Sequence, residues 1–508
     1  MPLKQNYFAN YIKTYIWQFI SIFFSFISLF IVIPILSSNQ VVLGIYNICI
    51  SVTIFLSYAD FGFLGAGQKY AAEAIATDCK TDEEDILIVT KNILLIFIVL
   101  LTIVFFLLAY KPSVFIKDLT EENLQLASKL LFIIAIFCPV TIIERISQLM
   151  YSIHIEDYCF QRFTLIGSAL KILSAFVFLA NGKYNIVLYL LSLKLIGLLI
   201  SAIAYLYACK KYSYPLLILF KIHINISIFK RMIKVALSNF ISSLSWILYY
   251  ELDVFAIGKM YGVAQVALFS VALSLTSFIR SFSGVLFSPY LVRFNHFIAT
   301  KQFEKLKECF LNVVKYTSIV LSLGIFGIIF LRKPLFFCWV GNEYAKSTFI
   351  VIWLLLIYVL NSINTPSSYL LIAFEEVKTI NFINILQPIL YWGIIVIFQK
   401  RYGIEIFAIS KFIIMIVPTF IYFKKNIGLL KLKITDLIKD SILKNFPFIL
   451  VEFFLIQLVC IILPLEKSTK NLFVVISAGI IIIVPLMVLR FGFDNTLRNK
   501  IKKKIRRL

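Results

Sequence analysis

Fourteen apolar runs follow one another along this chain, at residues 14–36, 41–62, 91–110, 126–148, 163–181, 184–208, 233–257, 264–290, 312–331, 347–370, 379–398, 403–423, 446–464 and 471–490. About 20 residues of apolar helix cross the hydrocarbon core of a bilayer, so each run is long enough for one crossing. Lipid offers no partner to a bare N–H or C=O, and continuous apolar runs satisfy them as helices. Composition excludes a water-soluble alternative. The chain is 61% hydrophobic and 15% charged over 508 residues, against roughly 45–50% and about 25% in soluble domains. The fold class that follows is all-α: a polytopic integral membrane protein with about 14 transmembrane helices.

The formal charge of +23 invites a nucleic-acid reading, but the placement of the charges argues for orientation instead. Lys and Arg stand in short blocks between apolar runs, as the positive-inside rule requires. With both termini cytoplasmic, inside segments and their flanks hold 32 of the 49 basic residues, outside segments 12, and spans five. The heaviest inside blocks are Lys210, Lys211, Lys221, Lys230 and Arg231; Lys424, Lys425, Lys431, Lys433, Lys439 and Lys444; and the tail from Arg498 to Arg507. Such a tail suits an anionic cytoplasmic leaflet. Moving the count by one helix in mid-chain would put a heavy block outside. The N-terminal stretch lacks a small-residue cleavage site and reads as a retained first helix.

The basic linkers divide the chain into a six-helix lobe at 1–208, a linker at 209–232, a second six-helix lobe at 233–423, a linker at 424–445, a helix pair at 446–490 and a tail at 491–508. A parallel repeat is consistent with this division: Ser51-Val52-Thr53-Ile54-Phe55 in the second span matches Ser274-Leu275-Thr276-Ser277-Phe278 in the eighth. The eight cysteines show no CxxC spacing and read as small buried hydrophobes rather than disulfides or metal ligands. The longest outside connection, near 111–125, leaves little room for chemistry beyond the bilayer.

Lys171, Lys194, Arg280, Lys315 and Lys411 fall within spans. A cation at a helix centre costs about 2.5–3.5 kcal/mol, so five cost on the order of 10–15 kcal/mol unless they face a polar cavity or a partner. Lys315 is near enough to a helix end to snorkel. Polar stripes at helical spacing accompany the cations: Ser270, Ser274, Ser277 and Ser281 beside Arg280, then Asn239, Ser242, Trp246, Tyr249 and Asp253, and Asn47, Ser51 and Tyr58. Two readings stay open for the serines, a cavity wall or helix–helix packing. A cavity with surplus cations suits an anionic cargo such as a diphosphate. Asp60, Glu251, Asp253 and Glu452 are the acidic candidates, either for ion coupling or as counter-ions to the lysines.

Enzyme signatures are missing: no HExxH, GxxxxGK[ST] or GxSxG occurs, and Gly62, Gly65 and Gly67 have the wrong spacing for a dinucleotide loop. His154, His223 and His296 fall in connections and read as solvated surface. Glu251-Leu252-Asp253 is too short to establish a glycosyltransferase. No cofactor or metal is expected, and the chain reads as a non-enzyme.

Three stretches carry a family resemblance. The first is Leu43-Gly44-Ile45-Tyr46 with Tyr58-Ala59-Asp60-Phe61-Gly62-Phe63 and Lys69-Tyr70-Ala71-Ala72-Glu73. The second is Glu251-Leu252-Asp253-Val254-Phe255-Ala256-Ile257-Gly258 with Gly262 to Phe269, and the third is Trp339-Val340-Gly341-Asn342-Glu343-Tyr344 with Tyr402-Gly403-Ile404. With the span count, the chain resembles the polysaccharide (O-antigen, Wzx-type) flippases of the multidrug/oligosaccharidyl-lipid/polysaccharide exporter superfamily. The resemblance implies two six-helix lobes around a central cavity, an added helix pair, and a place in the bacterial inner membrane. It implies an undecaprenyl-diphosphate-linked oligosaccharide as cargo, alternating access, and other polysaccharide-assembly membrane proteins as partners. Relatives that flip peptidoglycan precursors hold the diphosphate with cavity cations, for which Arg280 is the nearest candidate here. A multidrug or small-solute antiporter of the same superfamily is the alternative, followed by a membrane polymerase or glycosyltransferase.

Overall fold

The computed structural model describes residues 7–493 apart from 78, 115, 118–119, 181–183, 224 and 433–442. The basic tail of 498–507, together with Lys433 and Lys439 of the second linker, lies outside the described residues. Every regular element among the described residues is helical. Two compact units divide the chain, Met1–Ser270 and Val271–Leu508.

The first unit holds α1 (Tyr7–Leu36), α2 (Gln40–Val52), α3 (Ile54–Ser57), α4 (Phe63–Ala76), α5 (Lys80–Tyr110), α6 (Glu121–Phe137), α7 (Val140–Ile153), α8 (Asp157–Phe178), α9 (Ile186–Tyr212), α10 (Ile226–Trp246), α11 (Asp253–Tyr261) and the start of α12 (Val263–Ala299). The second holds the rest of α12, α13 (Phe303–Phe330), α14 (Arg332–Trp339), α15 (Ser347–Ala373), α16 (Val377–Tyr402), α17 (Glu405–Leu430) and a last pair, α18 (Phe446–Cys460) and α19 (Thr469–Gly492).

Each of the fourteen apolar runs has a helical counterpart. Among the described residues eleven helical stretches, α2 with α3 counted as one, are long and apolar enough to span, two further runs are bent helix pairs, and α18 is a shorter apolar helix. The α6–α7 pair turns by 45° around Pro139, where the proline ring denies the helix an N–H and crowds the preceding turn. Apolar side chains remain on the outside of both units: Leu107 is 65% exposed and Ile397 71%. Water would penalise such surface heavily; lipid tails solvate it.

Several buried hydroxyls are satisfied within their own helices. Thr90 donates to the Ile86 carbonyl at 2.7 Å, Ser147 to Ile143 at 2.6 Å and Ser410 to Ile406 at 2.6 Å. That local bond lets a polar residue enter a packed membrane interior without a partner on another helix. All eight cysteines are free, five of them buried.

The quoted sequence stretches turn out to be packing corners. In the first unit the chain breaks after α3 and re-enters helix at α4 through Phe61 and Gly62, both with positive φ. Asp60 caps α4, its Oδ2 accepting the Leu64 N–H at 3.0 Å. Phe61 stacks between Phe97 and Phe240 at 4.0 and 4.7 Å, and Phe63 stacks on Phe229 at 5.5 Å. These rings seat α10 against α4. In the second unit Trp339 and Tyr344 are fully buried. The Cys338 carbonyl on α14 accepts the Ser468 N–H at 3.2 Å, which ties the α18–α19 connection to α14.

Candidate functional site

The five in-span cations sit in different surroundings. Within the first unit, Lys171 on α8 is exposed beside equally exposed Leu170 and Leu173. Lys194 on α9 is half-buried, within electrostatic range of Cys138, Lys171 and Glu144. Within the second unit, Lys411 on α17 is buried, with its Nζ 5.5 Å from the centre of the fully buried Tyr391 ring. Lys315 on α13 is half-buried, its Nζ 5.6 Å from the ring centre of Tyr316. Arg280 on α12 is half-buried next to the half-buried Ser274 and Ser277. Arg280 shares its helix with the serine stripe, whereas Lys411 has an aromatic ring close by.

The α12 stripe keeps its period, because α12 is continuous from Val263 to Ala299. Ser281 donates to the Ser277 carbonyl at 3.1 Å. The stripe expected from Asn239 to Asp253 does not survive as one face. A π-helical turn at Ile247–Glu251 inserts itself between α10 and α11 and shifts everything after it around the axis. Ser242 and Trp246 are exposed, whereas Tyr249 and Asp253 are buried. Glu251 is half-buried and accepts the Trp246 indole N–H at 3.2 Å. On α2, Ser51 donates to the Ile48 carbonyl at 2.7 Å, and the Asn47 amide nitrogen is buried without an acceptor among the described residues.

Three buried polar clusters escaped the sequence reading, because each joins residues remote in the chain. In the first, Lys80 lies 3.3 Å from Glu83, and the Tyr214 hydroxyl donates to the same carboxylate. His154 is therefore not solvated surface: Nε2 stands 3.8 Å from Glu83 Oε1, and its ring stacks on Tyr212 at 3.8 Å. Its Nδ1 is 2.9 Å from the Met150 carbonyl. Burial lowers the His154 pKa, against the opposing pull of that carbonyl and of Glu83. Lys211 and Tyr212 both engage Glu156. In the second cluster, buried Lys91 donates to the Lys221 carbonyl at 2.7 Å and Asn92 to the His223 carbonyl at 2.8 Å. Together these two clusters hold the end of α9 and the chain that follows it, as far as His223, against α5 and the α7–α8 turn. His223 and His296 are exposed, His296 in the last turn of α12.

The third cluster belongs to the second unit. Arg490 on α19 donates through Nε to Asn445 Oδ1 at 2.8 Å, and Asn445 Nδ2 lies 3.4 Å from both Ser318 and Ser322 on α13. All four are buried. Lys91 and Arg490 stand at the ends of apolar runs and so look like snorkelling residues; only the structure shows each turned inward to a fixed acceptor. Glu452, the remaining acidic candidate, is fully buried on α18. Among the described residues no group of His, Cys, Asp and Glu has the arrangement of a metal site.

Comparison with known proteins agrees with this architecture. No curated protein sequence matches the chain. Among solved structures, the lipid II flippase MurJ in an inward closed conformation is similar, with a TM-score of 0.68, 16% identity, and coverage of 96% of this chain and 99% of that one. An inward-facing multidrug resistance MATE transporter of the MOP superfamily matches with a TM-score of 0.64 and 16% identity, covering 82% of this chain and 95% of that one. An outward-facing MATE transporter matches with a TM-score of 0.57 and 17% identity, covering 84% and 98%. At these identities the likeness shows the fold. The profile of one family, described as polysaccharide biosynthesis protein, matches residues 8–295. The chain therefore belongs to the polysaccharide biosynthesis protein family and has the MOP-superfamily fold.

Proposed function

We propose that this chain is a flippase that carries an undecaprenyl-diphosphate-linked oligosaccharide, an O-antigen or similar repeat unit, from the inner to the outer leaflet of the bacterial inner membrane. The observation that carries the reading is the family match joined to likeness over 96% of the chain with a protein named as a lipid II flippase. Coverage that complete leaves too few residues aside to omit α18 and α19, whereas the MATE structures cover 82% and 84%. In this reading the chain moves the cargo without making or breaking a covalent bond in it, and so calls on no cofactor.

In this reading the lobes 1–208 and 233–423 alternate access to the two leaflets, with both termini cytoplasmic. Arg280 meets the diphosphate, aided by Ser274 and Ser277. A guanidinium forms a bidentate pair with a phosphate, which a lysine cannot reproduce. Within the first unit, Lys194, Asn47 and Ser51 are further candidates for polar contact with the cargo; Lys171, exposed among apolar side chains, is a weaker one. Lys315 and Lys411 serve as further positive charge around the path. Asp60, Glu251 and Asp253 act as counter-ions or, for Asp60, as the helix cap described above.

Lipid extraction from a strain lacking the protein tests the step. Single repeat units trapped on the cytoplasmic leaflet, with surface polymer lost, support flipping. Units that reach the outer leaflet unpolymerised would instead place an enzyme here. The MATE likeness favours a second reading, a small-solute antiporter; altered drug susceptibility with intact surface polymer would select it.

A further inference from the structure

α18 is a helix of fifteen residues, FPFILVEFFLIQLVC, in which Glu452 is the only charge. Most of that helix faces outward; Glu452 and Ile456, one turn apart, are its buried residues. The carboxyl group points into the junction of α18 with α13 and α19. A methyl group placed on Gly327 of α13 would lie 2.6 Å from Glu452 Oε1 and 2.4 Å from Ile483 Cδ1 of α19. Glycine at 327 thus leaves the space that the carboxyl group fills. Both carboxyl oxygens are buried, and neither has a hydrogen-bond partner among the described residues.

An ionised carboxylate in such a place carries a heavy desolvation cost with nothing to offset it, and the group escapes that cost by holding a proton. The charged residues on the surrounding helices stand away from it. On α19, Arg490 is seven residues from Ile483, about 10 Å along the axis, and is engaged by Asn445. On α13, Lys315 and Tyr316 are more than three turns from Gly327, a separation of roughly 17–18 Å. Beyond its end, Arg332 at the start of α14 donates to the Ile329 carbonyl at 2.9 Å. A metal cation would need several oxygen ligands, whereas no His, Cys, Asp or Glu group suited to a metal is found among the described residues, and both carboxyl oxygens lack a hydrogen-bond partner among them.

We propose that Glu452 is a proton-binding site. It is loaded as a neutral acid while α18 is docked on α13, and it exchanges its proton when the α18–α19 pair loosens from Gly327. The chemistry is one proton taken up or released by one carboxyl oxygen, with no other bond made or broken. Resting on the flippase reading, this assigns the proton as the ion that drives the cargo.

Infrared spectroscopy of the purified full chain in lipid nanodiscs tests the site without any cargo. The wild type should show the C=O stretch of a protonated carboxylic acid at neutral pH, sensitive to deuterium exchange and lost on alkaline titration. Glu452→Gln, which keeps shape and neutrality, should lack that band while retaining thermal stability. Absence of the band from the wild type, or its persistence in Glu452→Gln, overturns the proposal. Proteoliposomes containing undecaprenyl-diphosphate-linked oligosaccharide then test the coupling. A pH gradient should stimulate transfer by the wild type and leave Glu452→Gln at the ungradiented rate; equal stimulation of both overturns proton coupling through Glu452. If the wild type transfers no cargo at all, the flippase reading falls, and the infrared result alone decides whether Glu452 is a proton site.

Discussion

A methyl group at Gly44 would come within 2.1 Å of the Val263 carbonyl oxygen, and one at Gly62 within 2.3 Å of the Ala236 oxygen. Neither neighbour is a side-chain tip that could swing aside. Gly62 also holds φ at +80°, a conformation costly for any residue with a Cβ. Gly44→Ala should therefore destabilise the first unit by about 1–3 kcal/mol, the usual range for overpacking, and Gly62→Ala by more. Thermal denaturation in detergent measures both, and an unchanged midpoint for Gly44→Ala would contradict the packing. These glycines were visible in the sequence as letters of a resemblance, but their reason was not, since what each one meets lies up to about 220 residues further along the chain. Asp60 shows the same limit. Its charge marks it for attention, whereas its hydrogen bond to Leu64 gives it a capping role.

Helices were the most legible level, because an apolar run of span length in a chain this hydrophobic has one stable solution in lipid. Their irregularities were legible only in part. Pro139 sits in plain view at the bend between α6 and α7, but the π-turn at Ile247–Glu251 has no comparable signature and undid the face drawn from Asn239 to Asp253. Connections were the least legible. The basic segment after α9 reads as a cytoplasmic linker between lobes, and nothing in its sequence shows that its backbone carbonyls at Lys221 and His223 are taken by Lys91 and Asn92. His154 gives this anchorage a pH dependence. Burial holds its pKa below the usual 6.5, so as pH falls through about 6.5 the unfolded chain takes up a proton before the folded one does. Stability should then decrease on acidification below that point and be fully retained above it. His154→Gln should flatten the slope between pH 7.5 and 5.5, about one unit on either side of that ordinary value. Thermal midpoints read at both ends check this, and an identical slope in the variant would remove His154 from the effect.

For the whole molecule, fourteen apolar runs, an excess of basic residues on alternate connections and a family profile over residues 8–295 describe one kind of machine. Cysteines introduced singly at Ser213 and Ser468 should be labelled from opposite sides of the membrane, with Ser213 cytoplasmic; labelling from the same side would overturn the proposed topology. Arg280→Ala should abolish surface polymer at normal protein levels, with Arg280→Lys restoring only part of it. Normal export by Arg280→Ala would remove Arg280 from the transport path. The cargo class depends on a resemblance, because sugar recognition has no short sequence signature, and the serine stripe fits helix packing as readily as a cavity wall.

The most direct measurement is transfer itself. Purified protein is placed in liposomes whose undecaprenyl-diphosphate-linked oligosaccharide begins in one leaflet, and a sugar-cleaving enzyme is added on the opposite side. The account predicts that the oligosaccharide becomes cleavable with this protein present, and much more slowly in protein-free liposomes or with Arg280→Ala. Cleavage no faster than in protein-free liposomes, from a protein shown to be folded by its thermal midpoint, would contradict it.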